Sequence, residues 1–123
     1  MKQAIESGYS PRKKSDIFRR GRIDGKVWAN RRASFEQLDR LADFDNRIRH
    51  EWVGWAAREE GMLALPQIVG SVPEGDQRGA AAFWREVAGP EWEHLIQDPE
   101  FVEGFVEAVL EVHARATVQM GHA

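Results

Sequence analysis

Glu91 and His94 stand three residues apart, a spacing that puts a carboxylate and an imidazole on one face of a helix. Di-iron carboxylate bundles ligate metal with that spacing, but they need two such pairs and further glutamates. This chain holds one pair. The glutamates near its C-terminal end and His113 are the candidates to complete a ligand set. A solvated surface pair is the simpler reading, so no metal and no cofactor are expected. His50-Glu51 lacks the second histidine of a zinc-binding HExxH helix. The five serines (Ser7, Ser10, Ser15, Ser34, Ser71) lie in no Gly-x-Ser-x-Gly elbow. No Walker-type glycine loop is present, and Gly21 and Gly25 follow no predicted strand, as a dinucleotide fingerprint requires. Without cysteine there is neither a thiolate ligand nor a disulfide. No catalytic residue is nominated, and the chain is expected not to be an enzyme.

Charge is distributed more tellingly than nucleophiles or ligands. Residues 1–32 carry ten basic and three acidic side chains, a charge of +7. The remaining seven arginines and seventeen acids give −10, so the formal total of −3 hides two opposed parts. Such asymmetry suits a basic arm or helix that meets a polyanion or an acidic protein surface. Lys13, Lys14, Arg19, Arg20, Arg22, Lys26, Arg31 and Arg32 are the candidate contacts to a partner or to phosphates. No helix-turn-helix, RNP or finger signature accompanies them, and the pI of about 5.8 is low for a nucleic-acid-binding domain. A protein partner or self-association is therefore expected. The alternative is an accessory subunit that holds a nucleic-acid backbone without reading bases.

These residues need elements to position them. Residues 1–14 read as a flexible basic leader, with Ser10-Pro11 as a turn signal. Ser15 is a natural N-cap for a first helix ending between Ala29 and Ala33. Ser34-Phe35-Glu36-Gln37 is a capping box opening a second helix, with Phe35, Leu38 and Leu41 at helical spacing. Ile48, Trp52, Trp55 and Ala56 keep one face up to Gly61, and whether this is a continuation or a new helix stays open. Asp76 caps a helix over Gln77–Ala88. Gly89-Pro90 ends it and starts a short helix, Glu91–Gln97. Asp98-Pro99-Glu100 opens the last helix, which runs to about Gln119. No stretch alternates well enough to be a strand; Gln67–Val72 is the one β-rich candidate and has no evident pairing partner.

The first and last helices share a pattern of small residues. Phe18-x-x-Gly21-x-x-x-Gly25 echoes Phe101-x-x-Gly104-x-x-x-Ala108. Glycine inside a helix costs about 1 kcal/mol relative to alanine. The compensating gain is close approach of backbones. Gly21 and Gly25 are therefore expected against another helix, with Gly104 and Ala108 as their counterparts. Glu100, Glu103, Glu107 and Glu111 run along one side of the last helix and could face the basic first helix, within one chain or between two. Of the five tryptophans, most are expected in the core, with one or two at an interface.

Residues 61–76 differ from their surroundings, with two prolines, three glycines, six apolar side chains and no charge before Glu74. They read as an apolar loop that packs on the core, hides a short helical turn or meets a partner. The resulting expectation is an all-α fold: a compact bundle of four to six helices over 15–123, with the basic leader and the loop at about 61–76. The basic first helix and the apolar loop would serve as contact surfaces of a non-catalytic interaction module. No apolar run approaches the roughly 20 residues that span a bilayer, and the N-terminus carries no signal-peptide core, so a cytoplasmic protein without membrane contact is expected.

Overall fold

The first helix begins where the serine hydroxyl can stand in for a missing backbone acceptor. In the computed structural model, which describes residues 15–58 and 61–121, the Ser15 side chain accepts from the Phe18 N–H, and α1 runs Asp16–Arg31. Ser34 and Gln37 form both bonds of a capping box ahead of α2, Phe35–Ile48. Asp76 accepts from the Gly79 N–H ahead of α5, Gln77–Ala88. Asp98 accepts from the Glu100 N–H at the start of the longest helix, α7, Pro99–Gly121. Between these lie α3, Trp52–Ala56, a 3₁₀ turn at Gly61–Ala64, α4, Leu65–Ile68, and α6, Trp92–Leu95. Each missing acceptor at these four starts is supplied by a side chain one residue before the helix.

The fold is all-helical, with no strand among the described residues. Seven α-helices are present there, more than the four to six expected. The excess comes from one break and from the supposed loop. The break separates α2 from α3 at Arg49 and His50, whose φ angles are 57° and 66°. The His50 N–H reaches back to the Asp45 carbonyl at 3.1 Å, a left-handed helix termination that glycine or asparagine usually supplies. Neither stands at these positions, so no residue type marked the stop.

Residues 61–76 take up two of the alternatives left open for the apolar loop, a short helical turn and packing on the core. Gly61–Ala64 and Leu65–Ile68 are helical, and the latter includes the front of the Gln67–Val72 strand candidate. Met62, Leu65, Pro66 and Val69 are buried. The segment is thus a wall of the core, and it is corrected as a contact surface because its largest apolar side chains already have neighbours in the same chain. The core joins it to Leu38 and Leu41 of α2, Trp84 of α5, Trp92 and Leu95 of α6, and Phe101, Phe105 and Val109 of α7. Four of the five tryptophans are buried and Trp55 is half-buried.

α1 and α7 make the largest helix pairing in the molecule. Their contacts advance together. Ser15 donates to Glu100, Gly21 lies against Phe101, Gly25 against Phe105, and Arg22 reaches Glu107 and Glu111. The two helices therefore run in the same direction. The glycine contacts are reciprocal, since a side chain at Gly21 would strike the Phe101 carbonyl and one at Gly104 the Phe18 carbonyl. At Gly25 an added Cβ would stand 2.5 Å from the Phe105 carbonyl oxygen. Ala108, the fourth small residue of the pattern, is buried on α7. Backbone meets backbone here, which only the absence of a Cβ allows.

Candidate interaction surface

The glycine seam fixes which way every other α1 side chain points. Phe18, Gly21, Gly25, Trp28 and Ala29 are buried against the body of the protein. Arg22 lies at the edge of that buried face and bridges to α7, at 2.5 Å from Glu107 and 2.7 Å from Glu111. Arg20 pairs with Asp24 at 2.9 Å and also donates to the Ala88 carbonyl. Arg19 pairs with Asp16 at 2.7 Å and Arg32 with Glu86 at 2.6 Å. Four of the six expected contact cations in the described residues are thus matched within the chain. The expected free basic face is corrected accordingly, because the acids of α1, α5 and α7 already neutralise much of it. Lys26 and Arg31 are exposed and make no ion pair among the described residues, although the Lys26 charge helps to hold the Glu111 carboxyl down. Lys13 and Lys14, with the rest of the leader, lie outside the described residues.

The Arg22 bridge has an electrostatic signature. The hydrogen bond from Arg22, opposed by partial burial, holds the Glu111 carboxyl below its ordinary value of 4.5 and raises the guanidinium in return. A carboxylate with a lowered folded-state pKa binds more protons in the unfolded chain. Its stabilisation is present above the unfolded value and fades as pH falls through the folded one. Asp24 works in the opposite sense: burial raises its pKa despite Arg20, so its contribution is gained on acidification and lost as pH rises. Glu111→Gln should therefore lower Tm modestly at neutral pH, because the pair is half-exposed, and converge with the parent as pH falls below 4.5, which flattens its acid slope. Circular-dichroism melts at a series of acidic pH values check this; equal slopes for parent and variant would dismiss the bridge as a stabilising contact.

The remaining outward face of α1 carries an element that charge counting missed. Ile23 is 60% exposed and Val27 43% exposed. They lie one turn apart, and Arg19, Lys26 and Asn30 share their side of the helix by spacing. Arg31 flanks Val27 one turn on. The signal was available as an i, i+4 aliphatic pair opposite the glycines.

The residues considered for metal chemistry stay apart. Glu91 and His94 are exposed, and no group of three or more histidine, aspartate or glutamate side chains among the described residues is arranged to hold a metal ion. His113 stacks on Phe35 at 5.4 Å, with Nε2 3.1 Å from an Asp39 carboxylate oxygen. His50 makes the more telling contact. Its Nδ1 lies 2.8 Å from Asp45, a 5%-exposed carboxylate that also accepts from Trp52 Nε1 at 2.7 Å. No helix among the described residues is long and apolar enough to cross a membrane. No protein-family model, curated protein or solved structure matches the chain.

Proposed function

We propose that this chain is a non-catalytic interaction module that docks an acidic protein partner on the outer face of α1. The observation that carries the reading is the exposed Ile23–Val27 pair flanked by the exposed cations Lys26 and Arg31. An apolar centre with a charged rim is the usual anatomy of a protein–protein contact. An amphipathic partner helix would place its apolar stripe on Ile23 and Val27 and its carboxylates on the cations. The rim charges would speed and orient encounter more than they add affinity. The buried side of the same helix supports the reading, because the glycine seam holds α1 rigidly and keeps the outward pair at a fixed spacing.

The runner-up, an accessory subunit on a nucleic-acid backbone, draws on the same cations. Internal pairing of Arg19, Arg20, Arg22 and Arg32 favours the protein reading, since phosphate binding needs many free cations at once.

Replacing both aliphatic residues, Ile23→Ser with Val27→Ser, should leave Tm within about 2 °C, because exposed substitutions cost little. The same double variant should weaken capture of the native partner at least tenfold in a quantitative pulldown. Parent-like capture by the folded double variant would remove this face from the interaction. Steeply salt-dependent binding to generic DNA, insensitive to the two serines, would favour the runner-up.

A further inference from the structure

The break between α2 and α3 is costly in backbone conformation. Arg49 and His50 both adopt left-handed backbone, where non-glycine residues are uncommon and strained. Both side chains are exposed. Strain of this kind collects at functional positions. Here it delivers the two side chains to one cleft.

That cleft has a volume of about 610 Å³, and its lining includes Arg49, His50 and Arg58 together with the apolar Ile48, Val53 and Trp55. The volume falls in the range of small-molecule sites, roughly 300–1,000 Å³. Arg47 also lines it but is held by Asp43. Among the described residues Arg49 and Arg58 have no carboxylate partner, and Glu51 is the one acid there that lines the cleft. Glu59 and Glu60, next in sequence to Arg58, lie outside the described residues. The His50 ring is set by Asp45: Nδ1 lies 2.8 Å from its carboxylate, and Nε2 is on the other edge of the ring. Asp45 is itself pinned by Trp52 Nε1, so the imidazole is anchored to the core rather than to a mobile side chain. The half-buried Trp55 is braced by edge contacts to Phe44 and Trp52 at 5.2 Å each.

We infer that the cleft between α2 and α3 binds a small phosphate monoester with a planar body, the phosphate on Arg49 and Arg58 beside His50 and the body against Trp55. Guanidinium groups recognise phosphate by paired, charge-assisted hydrogen bonds. A tryptophan face supplies the apolar remainder of the site.

Adenosine monophosphate, adenosine and inorganic phosphate are the probes, titrated into the full chain and followed by NMR and calorimetry. The monophosphate should bind with Kd at or below about 1 mM, and the other two at least tenfold more weakly. Arg49→Gln and Arg58→Gln should each weaken it at least tenfold, while Arg78→Gln, an exposed arginine of α5 away from the cleft, leaves it unchanged. Arg49→Gly gives the sharpest readout. Glycine accepts the left-handed backbone freely, so Tm should rise by about 4 °C while affinity falls as in Arg49→Gln. No binding of the monophosphate at millimolar concentration would overturn the assignment. So would adenosine binding as tightly as its phosphate, affinity retained in both glutamine variants, or a preference for oligonucleotide over monoester that the two glutamine substitutions leave intact.

Discussion

Gly21→Ala is expected to destabilise the protein by about 3 kcal/mol, and Gly104→Ala by a similar amount, although alanine is the better helix former by about 1 kcal/mol. The new methyl at either position would run into the carbonyl of the facing helix, Phe101 for Gly21 and Phe18 for Gly104. A flexible side chain can swing aside; a backbone carbonyl within a hydrogen-bonded helix cannot. The two helices must separate, and the contacts of Phe18, Trp28, Phe101 and Phe105 loosen with them. Gly54 is the internal control. An added Cβ there meets nothing within 4 Å, so Gly54→Ala should be neutral or stabilising by up to about 1 kcal/mol. Arg22→Ala loses a half-exposed ion-pair network and should cost no more than about 1 kcal/mol. Urea denaturation of the four variants ranks them. Gly21→Ala and Gly104→Ala melting with Gly54→Ala would contradict the backbone seam.

Trp84→Ala should cost still more, about 4 kcal/mol or above, a large share of the 5–15 kcal/mol that holds a domain together. Trp84 is fully buried. Its ring lies 5.1 Å from Phe83 and Phe105 and 6.4 Å from Phe101, and its Nε1 donates to the Met62 carbonyl at 2.8 Å. One side chain thus ties α5 to α7 and to the segment after Gly61. Truncation opens a cavity and leaves the Met62 carbonyl without its donor, a loss of about 1–3 kcal/mol by itself. Trp84→Phe separates the two effects. It keeps most of the apolar volume and removes the hydrogen bond, so about 2 kcal/mol is expected. Amide exchange should then speed up over residues 61–72 more than in α2. If Trp84→Phe matched the parent in stability and exchange, the segment would be held by something other than this bond.

The helix starts were legible because each is written in one or two residues. Ser15, Ser34, Asp76 and Asp98 all satisfy backbone N–H groups at the positions their side chains suggested. The small-residue rows of α1 and α7 were legible for a similar reason: glycine in a helix is costly, and the close approach explains it. One feature was hidden. The stop after Ile48 carries arginine and histidine where glycine would have announced it. Its hydrogen bonds are backbone to backbone and leave no mark in side-chain type. The segment after Gly61 was partly legible: proline and glycine suggested a loop that could hide a helical turn, and burial of Met62, Leu65 and Val69, which decides between the alternatives, depends on tertiary neighbours. The basic helix was visible, but its neutralisation depended on tertiary neighbours such as Glu86, Glu107 and Glu111. Counting charge along the chain could not assign those pairs. It also drew attention away from Ile23 and Val27, the exposed apolar residues of the same helix.

A photo-reactive amino acid placed at position 27, with a matched control at the exposed Arg78 of α5, reports most directly on what occupies the outer side of α1 in the native cell. Efficient capture of one defined protein from position 27, lost when Ile23 is serine and absent from position 78, is the predicted result. Equal or absent capture at both positions would contradict it, and α1 would then be a structural helix and nothing more.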